Sequence, residues 1–276
     1  MSSARSSVVS LGIAFMLCVS SAAHATRPCP PDTDCSGAVN IYDLLYVVGA
    51  WGQNGGPADV NGSGTVDILD LLAVVSAWGP CMFDYGPEYA NAEAHQIGLE
   101  MLGAGRGLTL GQQTYNRINR DLGLIRIAYP ALALEAHSMA WAPNQLIVNI
   151  ANVQLPDYVC NNAYYRVTGS QHLFSTWYVL TFAGKFNVPA MAQVYMAQAG
   201  ATFAEPNGLI GGQNYWVPTN LGGGVWRWNI DDGFHDCFDG CDCHRYYVIE
   251  TNAAGNVSLI SYVEQGASWC DFGTGK

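Results

Sequence analysis

Residues 32–43 read DTDCSGAVNIYD, and residues 59–70 read DVNGSGTVDILD. Each stretch is followed by nine mostly apolar residues that end in Trp-Gly. The two copies lie 27 residues apart and are identical at 13 of 21 positions, which identifies an internal duplication. The repeat forms a short module, and a longer domain follows it in the chain.

Within each copy, oxygen-bearing side chains occupy loop positions 1, 3, 5, 9 and 12, and position 6 is glycine. This spacing surrounds one Ca²⁺ with oxygen ligands, position 7 adds a backbone carbonyl, and the glycine permits the sharp turn. Two such loops in register predict two calcium ions. The predicted ligands are Asp32, Asp34, Ser36, Ala38, Asn40 and Asp43 in the first loop and Asp59, Asn61, Ser63, Thr65, Asp67 and Asp70 in the second.

The segment after each loop has an apolar pattern that predicts a short helix, and the turn signal at residues 53–57 ends the first helix. Both helices are apolar on nearly all sides. They can bury that surface only against each other or against a partner. The apolar positions are Leu44, Leu45, Val47, Val48 and Trp51 in the first helix and Leu71, Leu72, Val74, Val75 and Trp78 in the second.

Residues 29–81 resemble a dockerin, the duplicated loop-and-helix module that binds two calcium ions and docks on a cohesin domain. Dockerins characteristically have Asp at loop position 12, as Asp43 and Asp70 are here, where ordinary EF-hand loops have Glu. The resemblance implies a cohesin-like protein partner, which dockerins contact through loop positions 10 and 11. The matching residues are Ile41, Tyr42, Ile68 and Leu69.

The repeat departs from the dockerin pattern in three ways. Its helices lack the basic residues that many dockerins use to bind cohesin, it directly follows an N-terminal signal, and cysteines flank it. A second interpretation therefore stays open, in which calcium stabilises a folding unit that covers its own helices.

Residues 1–25 have the pattern of a secretory signal peptide. Arg5 gives a basic start, residues 8–19 are mostly apolar, and Ala-His-Ala at residues 23–25 precedes the cleavage point. The apolar run is too short to span a bilayer, and no later stretch is long enough. We therefore expect an exported protein, secreted or periplasmic, without a membrane span. The net charge of −11 argues against nucleic acid or an anionic membrane as a partner.

Eight of the nine cysteines remain once Cys18 leaves with the signal, and an even number in an exported chain predicts disulfides. Cys29 and Cys81 stand at the two ends of the repeat, and a bond between them would close it. Of the eight, three precede residue 82 and five follow it. Either one disulfide crosses between the two parts, or each part keeps a free thiol.

A second group of cysteines lies in residues 231–244, which read DDGFHDCFDGCDCH. The cysteines and histidines could supply zinc ligands, but structural zinc sites usually gather two separated pairs of ligands. We favour disulfides, with Cys237 bonded to Cys241 and with Cys243 bonded to Cys270 or Cys160.

After a linker at residues 82–86, residues 87–276 mix helix and strand patterns, which predicts an α+β domain that contains disulfides. Helices are expected at 90–102, at 109–129 after a capping box that begins at Thr109, and at 187–199. Strands are expected at 145–150, 164–168, 177–182, 201–205 and 225–230, with a hairpin at 246–264. The chain is thus predicted to be a small all-α module followed by an α+β domain.

Residues 177–207 form a predicted strand, helix and strand that closes on Ala-Glu-Pro-Asn at 204–207. This run is similar to the second half of subtilase propeptides and related inhibitor domains. Those domains are ferredoxin-like α+β sandwiches, so the resemblance implies that the larger domain is ferredoxin-like in part.

The sequence has no Gly-x-Ser-x-Gly elbow and no local signature of a catalytic cysteine, so no catalytic residue is predicted. Three functions are considered. The first is calcium-dependent docking on an extracellular partner. The second is a polysaccharide-degrading hydrolase, because dockerins commonly accompany such enzymes, and it would make a polysaccharide a further partner. The third is a propeptide-like protease inhibitor, which residues 177–207 suggest.

Overall fold

The computed structural model describes residues 27–209, 214–235 and 241–272. The predicted signal peptide lies outside these ranges. None of the helices in the described ranges is both long and apolar enough to cross a bilayer. The helices are α1 (Ile41–Gly49), α2 (Ile68–Ser76), α3 (Ala92–Leu102), α4 (Gln112–Ala128), α5 (Pro156–Tyr164) and α6 (Val188–Gln198). The strands are β1 (Ala38–Val39), β2 (Gly79–Pro80), β3 (Trp141–Asn149), β4 (Val167–Phe174), β5 (Trp177–Phe182), β6 (Phe203–Gly208), β7 (Tyr215–Gly222), β8 (Val225–Phe234), β9 (Cys243–Thr251) and β10 (Val257–Gly266).

The repeat forms two nine-residue helices, α1 and α2. Helices this short are marginal by themselves in water, so their ends and their packing decide whether they form. Each begins with a capping box, in which Asn40 or Asp67 caps the helix and the third residue bonds back to the cap backbone. Val47 and Val74 are completely buried between the two copies. A two-residue antiparallel pair of β1 and β2, which was not predicted, joins the first loop to the C-terminal end of the module.

The first sheet of the larger domain, sheet A, has the strand order β4-β5-β3-β6, and all its neighbours are antiparallel. Along the chain its elements run β3-α5-β4-β5-α6-β6. Strands β5 and β6 therefore lie on either side of β3, and α6 connects them. Helix α6 packs against β3 and β6, and α5 packs against β4. The covered face contributes Leu146, Val148, Leu180, Phe182 and Ala204 to the core.

The second sheet, sheet B, is an antiparallel meander in the order β10-β9-β8-β7. Trp226, Trp228 and Ile230 alternate along β8 and are all buried on one face, as their spacing predicted. Helix α3 lies against β7, and α4 lies against β10. The fully buried Asp121 of α4 accepts hydrogen bonds from Arg117 at 2.7 Å and from the indole N–H of Trp228 at 3.4 Å. The α+β class of the chain is thereby confirmed, whereas the module is not all-α as predicted, because it contains the β1–β2 pair.

Several predicted boundaries differ from the structure. No side chain caps α4, which begins after Gly111, so the capping box at Thr109 is wrong. Residues 164–168 are not one strand, because α5 occupies the chain up to Tyr164 and β4 starts at Val167. Strand β6 continues through Pro206 instead of stopping there. It can do so because β6 is an edge strand, where proline's missing N–H removes no ladder bond on the open side.

Disulfides join Cys29 to Cys81, Cys35 to Cys160, and Cys243 to Cys270. The general prediction of disulfides is confirmed, and Cys29–Cys81 is the pair expected from the ends of the repeat. The bond between Cys35 and Cys160 crosses from the module to the larger domain. Cys241 is also disulfide-bonded, whereas Cys237, its predicted partner, lies outside the described residues. Because the Cys243 thiol is bonded to Cys270, it is not available as a zinc ligand.

The repeat module is fastened to α5 by several contacts besides the Cys35–Cys160 bond. Arg27 forms an ion pair with Asp157 at 3.3 Å. The backbone N–H of Phe83 donates to the carbonyl of Tyr164 at 2.8 Å, and the Tyr164 side chain packs against the module's core. Residues 82–86, predicted as a linker, therefore include a segment packed on the larger domain.

We predict that the Cys35–Cys160 bond makes the two parts unfold together. A native disulfide of this kind contributes about 2–5 kcal/mol to the free energy of unfolding. In the double variant Cys35→Ser/Cys160→Ser, differential scanning calorimetry should show the module melting earlier, in a transition separate from that of the larger domain. Cys243→Ser/Cys270→Ser is the matched control, and it should lower the melting temperature without splitting the transition. A single unsplit transition in the first variant would contradict the prediction.

Candidate functional site

The first loop of the repeat brings three carboxylates together. Oxygens of Asp32, Asp34 and Asp43 all lie within 4.8 Å of one another. Asp32 is held by backbone N–H groups, which donate from Gly37 at 2.8 Å and from Ser36 at 3.0 Å. Three acidic groups at this separation repel one another. Their carboxylate oxygens are hard ligands of the kind that Ca²⁺ binds.

Asp43, at loop position 12, is completely buried and ties the loop to the helix. One of its oxygens accepts from the N–H of Thr33 at 2.7 Å and from the N–H of Asp34 at 3.3 Å. The other accepts from the N–H of Asn40, at the start of α1, at 2.8 Å. The beginning and the end of the loop therefore meet at this side chain.

The second loop repeats this geometry. Asp59 accepts from the N–H of Ser63 at 2.9 Å and from the N–H of Gly64 at 2.8 Å. The fully buried Asp70 accepts from Asn61 at 3.0 Å and from Asp67 at 2.8 Å. Position 6 has a positive φ in both loops, +86° at Gly37 and +95° at Gly64, which explains why it is glycine.

The remaining predicted ligands fall into two groups. The Ser36 hydroxyl lies 3.1 Å from the carbonyl oxygen of Ala38, and the Ser63 hydroxyl lies 3.1 Å from that of Thr65. Positions 5 and 7 are thus adjacent in both loops, as a shared ion requires. The position 9 side chains instead cap the helices. Asn40 accepts from Tyr42 at 2.8 Å, and Asp67 accepts from Leu69 at 2.8 Å. EF-hand loops often bind calcium at position 9 through a water, so this placement fits the loop type.

Burial raises the pKa of Asp32 above its usual value, and the neighbouring Asp34 and Asp43 raise it further. The backbone N–H groups of Gly37 and Ser36 act in the opposite direction. A divalent cation among these oxygens would relieve both the burial of charge and the mutual repulsion, because it would be the largest local charge. The donor set therefore fits a calcium ion.

The outward sides of α1 and α2 form an exposed apolar surface, here called the helix face. The predicted partner-binding residues lie on it, with Tyr42 69% exposed and Leu69 56% exposed. Corresponding positions of the two copies, 27 residues apart, are exposed in the same way. Exposed apolar side chains grouped along one side of a helix in this way are candidates for an interaction site. The helix face consists of Ile41, Tyr42, Leu45, Val48 and Trp51 from α1 and its end, and of Ile68, Leu69, Leu72, Val75 and Trp78 from α2 and its end.

Six of these ten residues were not among the predicted partner-binding positions, which came from loop positions 10 and 11 alone. The sequence feature that indicates these six residues is the apolar character of the helices on nearly all sides. The two helices bury only one stripe against each other, around Val47 and Val74, so they do not cover most of their own apolar surface.

In the larger domain, a polar cluster joins α3 and α4 to the segment before β3. Arg126 forms two hydrogen bonds with Glu93, at 2.9 and 2.8 Å. Burial raises the pKa of Glu93, but hydrogen bonds from Arg126 and from the backbone of His137 outweigh it, so its pKa lies below the usual value. Burial also raises the pKa of Glu100, but hydrogen bonds with His137 and Gln96 outweigh this effect. The pKa of Glu100 therefore lies below the usual value as well.

The His137 ring lies between a donor and an acceptor. Its Nδ1 accepts from the backbone N–H of Trp216 at 3.1 Å, so Nε2 carries the proton and faces Glu100 at 2.9 Å. Glu100 also accepts from Gln96 at 2.6 Å and from the N–H of Ala140 at 2.9 Å. Both nitrogens of the His137 ring and both oxygens of the Glu100 carboxylate thus take part in hydrogen bonds. We interpret this cluster as a connection between α3 and sheet B, and not as an acid–base pair.

The outer face of sheet B has a shallow cavity of about 280 Å³, lined by residues that include Tyr215, Asp231 and Tyr246. Asp231 pairs with Nδ1 of His244 at 2.7 Å, and Nε2 of His244 lies 2.9 Å from the carbonyl oxygen of Cys241. Asp231 and His244 are therefore paired as well.

Comparison of the chain with protein-family models, with curated proteins and with solved structures finds no match. Its function is therefore inferred from the repeat and from the geometry described above.

We predict that Asp43 stabilises the module even without a metal ion. In Asp43→Asn, an amide N–H₂ replaces one carboxylate oxygen and opposes N–H donors, which should cost about 1–3 kcal/mol. Urea denaturation in the presence of EDTA measures this loss. Asp34→Asn is the matched control, because Asp34 is exposed and the amide keeps an oxygen acceptor, and it should change stability by less than about 0.5 kcal/mol. Equal losses in the two variants would contradict the prediction.

Proposed function

We propose that residues 29–81 are a dockerin-like module that binds two calcium ions and docks this exported protein on a cohesin-like domain of an extracellular partner. The observation that carries the proposal is the duplication of both features. Each copy combines a loop of converging oxygens with a helix whose outward side is apolar and exposed. The disulfides and the predicted signal peptide at residues 1–25 agree with export.

Calcium's part in this proposal is to complete each loop. The ion would be held by the side chains at positions 1, 3, 5 and 12 and by the carbonyls of Ala38 and Thr65. Its charge would offset the repulsion among the carboxylates of each loop. Asp43 and Asp70 also accept hydrogen bonds from the backbone N–H groups at the start of the helices. Calcium bound in the loops would therefore stabilise α1 and α2, and with them the helix face.

The helix face supports protein docking for three reasons. It is an apolar surface of ten side chains on short helices, and the same pattern occurs twice. Furthermore, the contacts with α5 leave these side chains exposed. A partner bound there would hold the larger domain in a fixed relation to itself, because a disulfide and an ion pair prevent the module from swinging freely.

A second candidate function is a propeptide-like protease inhibitor. The succession β-α-β-β-α-β of residues 141–208, with β3 between β5 and β6, supports a ferredoxin-like interpretation of this part of the domain. It agrees with the resemblance of residues 177–207 to subtilase propeptides. Fold alone says little about function, so this candidate ranks second. The polysaccharide-hydrolase interpretation still rests only on its association with dockerins.

We expect calcium to raise the melting temperature of the protein, because a ligand that binds only the folded state stabilises it by mass action. Isothermal titration of the EDTA-treated protein should give two ions per chain. Asp32→Ala and Asp59→Ala, which each alter one loop, should each reduce this number to one. A melting temperature that is identical in calcium and in EDTA would reject the calcium proposal.

We expect the helix face to be required for docking. Leu45→Asp/Leu72→Asp places one charge at the same position of each copy, and it should weaken binding to an immobilised panel of cohesin domains by at least about tenfold. Stability should change little, because both leucines are more than half exposed. Leu134→Asp, at a leucine 93% exposed outside the module, is the matched control and should bind normally. If no cohesin domain binds the wild type, the cohesin proposal fails while the calcium proposal is tested separately.

A further inference from the structure

Sheet A has one covered face and one open face. On the covered face, Leu146, Val148 and Leu180 are completely buried under the helices. Their neighbours along the strands point the other way and are, apart from Val179, half-buried or exposed. No described element packs across this open face as α6 does on the other side. What the open face displays is therefore set by the alternate residues of the four strands.

One end of the open face is a row of side chains that crosses all four strands. In the strand register, Phe174 pairs with Trp177, Trp177 pairs with Asn149, and Asn149 pairs with Phe203. The ring of Trp177 lies 6.0 Å from the ring of Phe174 and 5.5 Å from that of Phe203. Four strands spaced about 4.8 Å apart make this row about 14 Å long.

The rings of this aromatic row are accessible to solvent. Phe174 is 61% exposed and Phe203 is 41% exposed. Large aromatic side chains usually contribute to a core or an interface, because each buries a large apolar area. Trp177 contacts both phenylalanines, so the three rings form an apolar strip on an uncovered sheet that is accessible to a ligand.

Beside the aromatic row, the open face mixes polar and apolar side chains and is nearly uncharged. The next row contains Gln171, Val179, Ile147 and Glu205, and the row after it contains Gly169, Thr181 and Gln145. Glu205 is the one charged residue among these positions. Gln145 accepts a hydrogen bond from Asn207 at 2.6 Å, and Asn149 accepts one from Thr176 at 2.8 Å. Amide side chains offer both donors and acceptors.

We propose that the open face of sheet A binds a neutral polysaccharide chain. The C–H faces of sugar rings are apolar and slightly positive, and they match the negative faces of Trp177, Phe174 and Phe203. Sugar hydroxyls both donate and accept hydrogen bonds, and they match the side-chain amides of Asn149 and Gln171.

The same observations disfavour charged ligands. The described positions of these three rows include no basic group that could pair with a phosphate or with an acidic sugar, and the chain as a whole has a net charge of −11. This site does not depend on the calcium loops, which lie in a different part of the fold. It is a binding site and assigns no catalytic role to any residue.

The experiment uses the full mature chain with calcium present. Its probes are insoluble cellulose, chitin and xylan in a pull-down assay, followed by affinity electrophoresis in gels that contain hydroxyethylcellulose. We expect the wild type to bind at least one neutral polymer. Phe174→Ala and Trp177→Ala should weaken binding by about tenfold each, the loss of one ring contact. Phe174 is mostly exposed, so its variant should keep the wild-type melting temperature and circular dichroism spectrum even if Trp177→Ala destabilises the sheet.

Trp269→Ala is the matched control, because Trp269 is 57% exposed and lies outside sheet A. It should bind as the wild type does. The proposal is overturned if no neutral polymer binds, or if Trp269→Ala and Phe174→Ala lose binding equally. It is also overturned if the chain inhibits a subtilisin-type protease and Phe174→Ala abolishes that inhibition, since the open face would then be a protein-binding surface.

Discussion

One buried carboxylate holds each copy of the repeat together, Asp43 in the first copy and Asp70 in the second. Each lies at the last loop position and accepts hydrogen bonds both from the beginning of its loop and from the backbone at the start of its helix. A buried carboxylate needs such partners, because an unpaired one would carry a large desolvation cost. The loop and the helix are therefore one unit, and anything that acts on the loop oxygens also acts on the helix. This is the physical basis for the proposal that calcium, if bound in the loops, would stabilise the surface that the helices expose.

The orientation of the module depends on a second constraint, its attachment to α5. Cys35 belongs to the first loop, so the Cys35–Cys160 bond connects that loop directly to the larger domain. The second loop has no such bond among the described residues. Two loops with nearly the same ligands are thus mechanically different, because one is tied to a large body and the other is held only through its own module. Phe83 adds to this attachment with a backbone hydrogen bond to Tyr164 and with a ring that lies 6.2 Å from the ring of Tyr164.

The larger domain consists of two sheets whose helices cover one face of each. Helices α5 and α6 cover sheet A, and α3 and α4 cover sheet B. Ion pairs and buried hydrogen bonds, such as those of Asp121 and of Glu100 with His137, stabilise the contacts between helices and sheets. The residues that remain free to meet a ligand are therefore on the outer faces and on the helix face of the module. Both proposed binding surfaces, for a protein and for a polysaccharide, are surfaces of this kind.

The sequence by itself determined the features whose signals are local. Loop spacing and the identity of residues 32–70 predicted the repeat and its candidate ligands, and period-two alternation placed Trp226, Trp228 and Ile230 on one face of β8. Local signals failed where the deciding contact is distant. Helix α5 was missed because its stability depends on packing against the module and α6, and β6 was expected to end at Pro206 because its position at a sheet edge is not visible in the sequence. The partner of Cys35, the exposure of the helix face and the aromatic row of Phe174, Trp177 and Phe203 were decided only by the tertiary structure. The Cys35–Cys160 bond and the contact of Trp177 with Phe203 join residues that lie far apart along the chain. The strand order and helix packing that bring these residues together leave no mark in any single stretch of sequence.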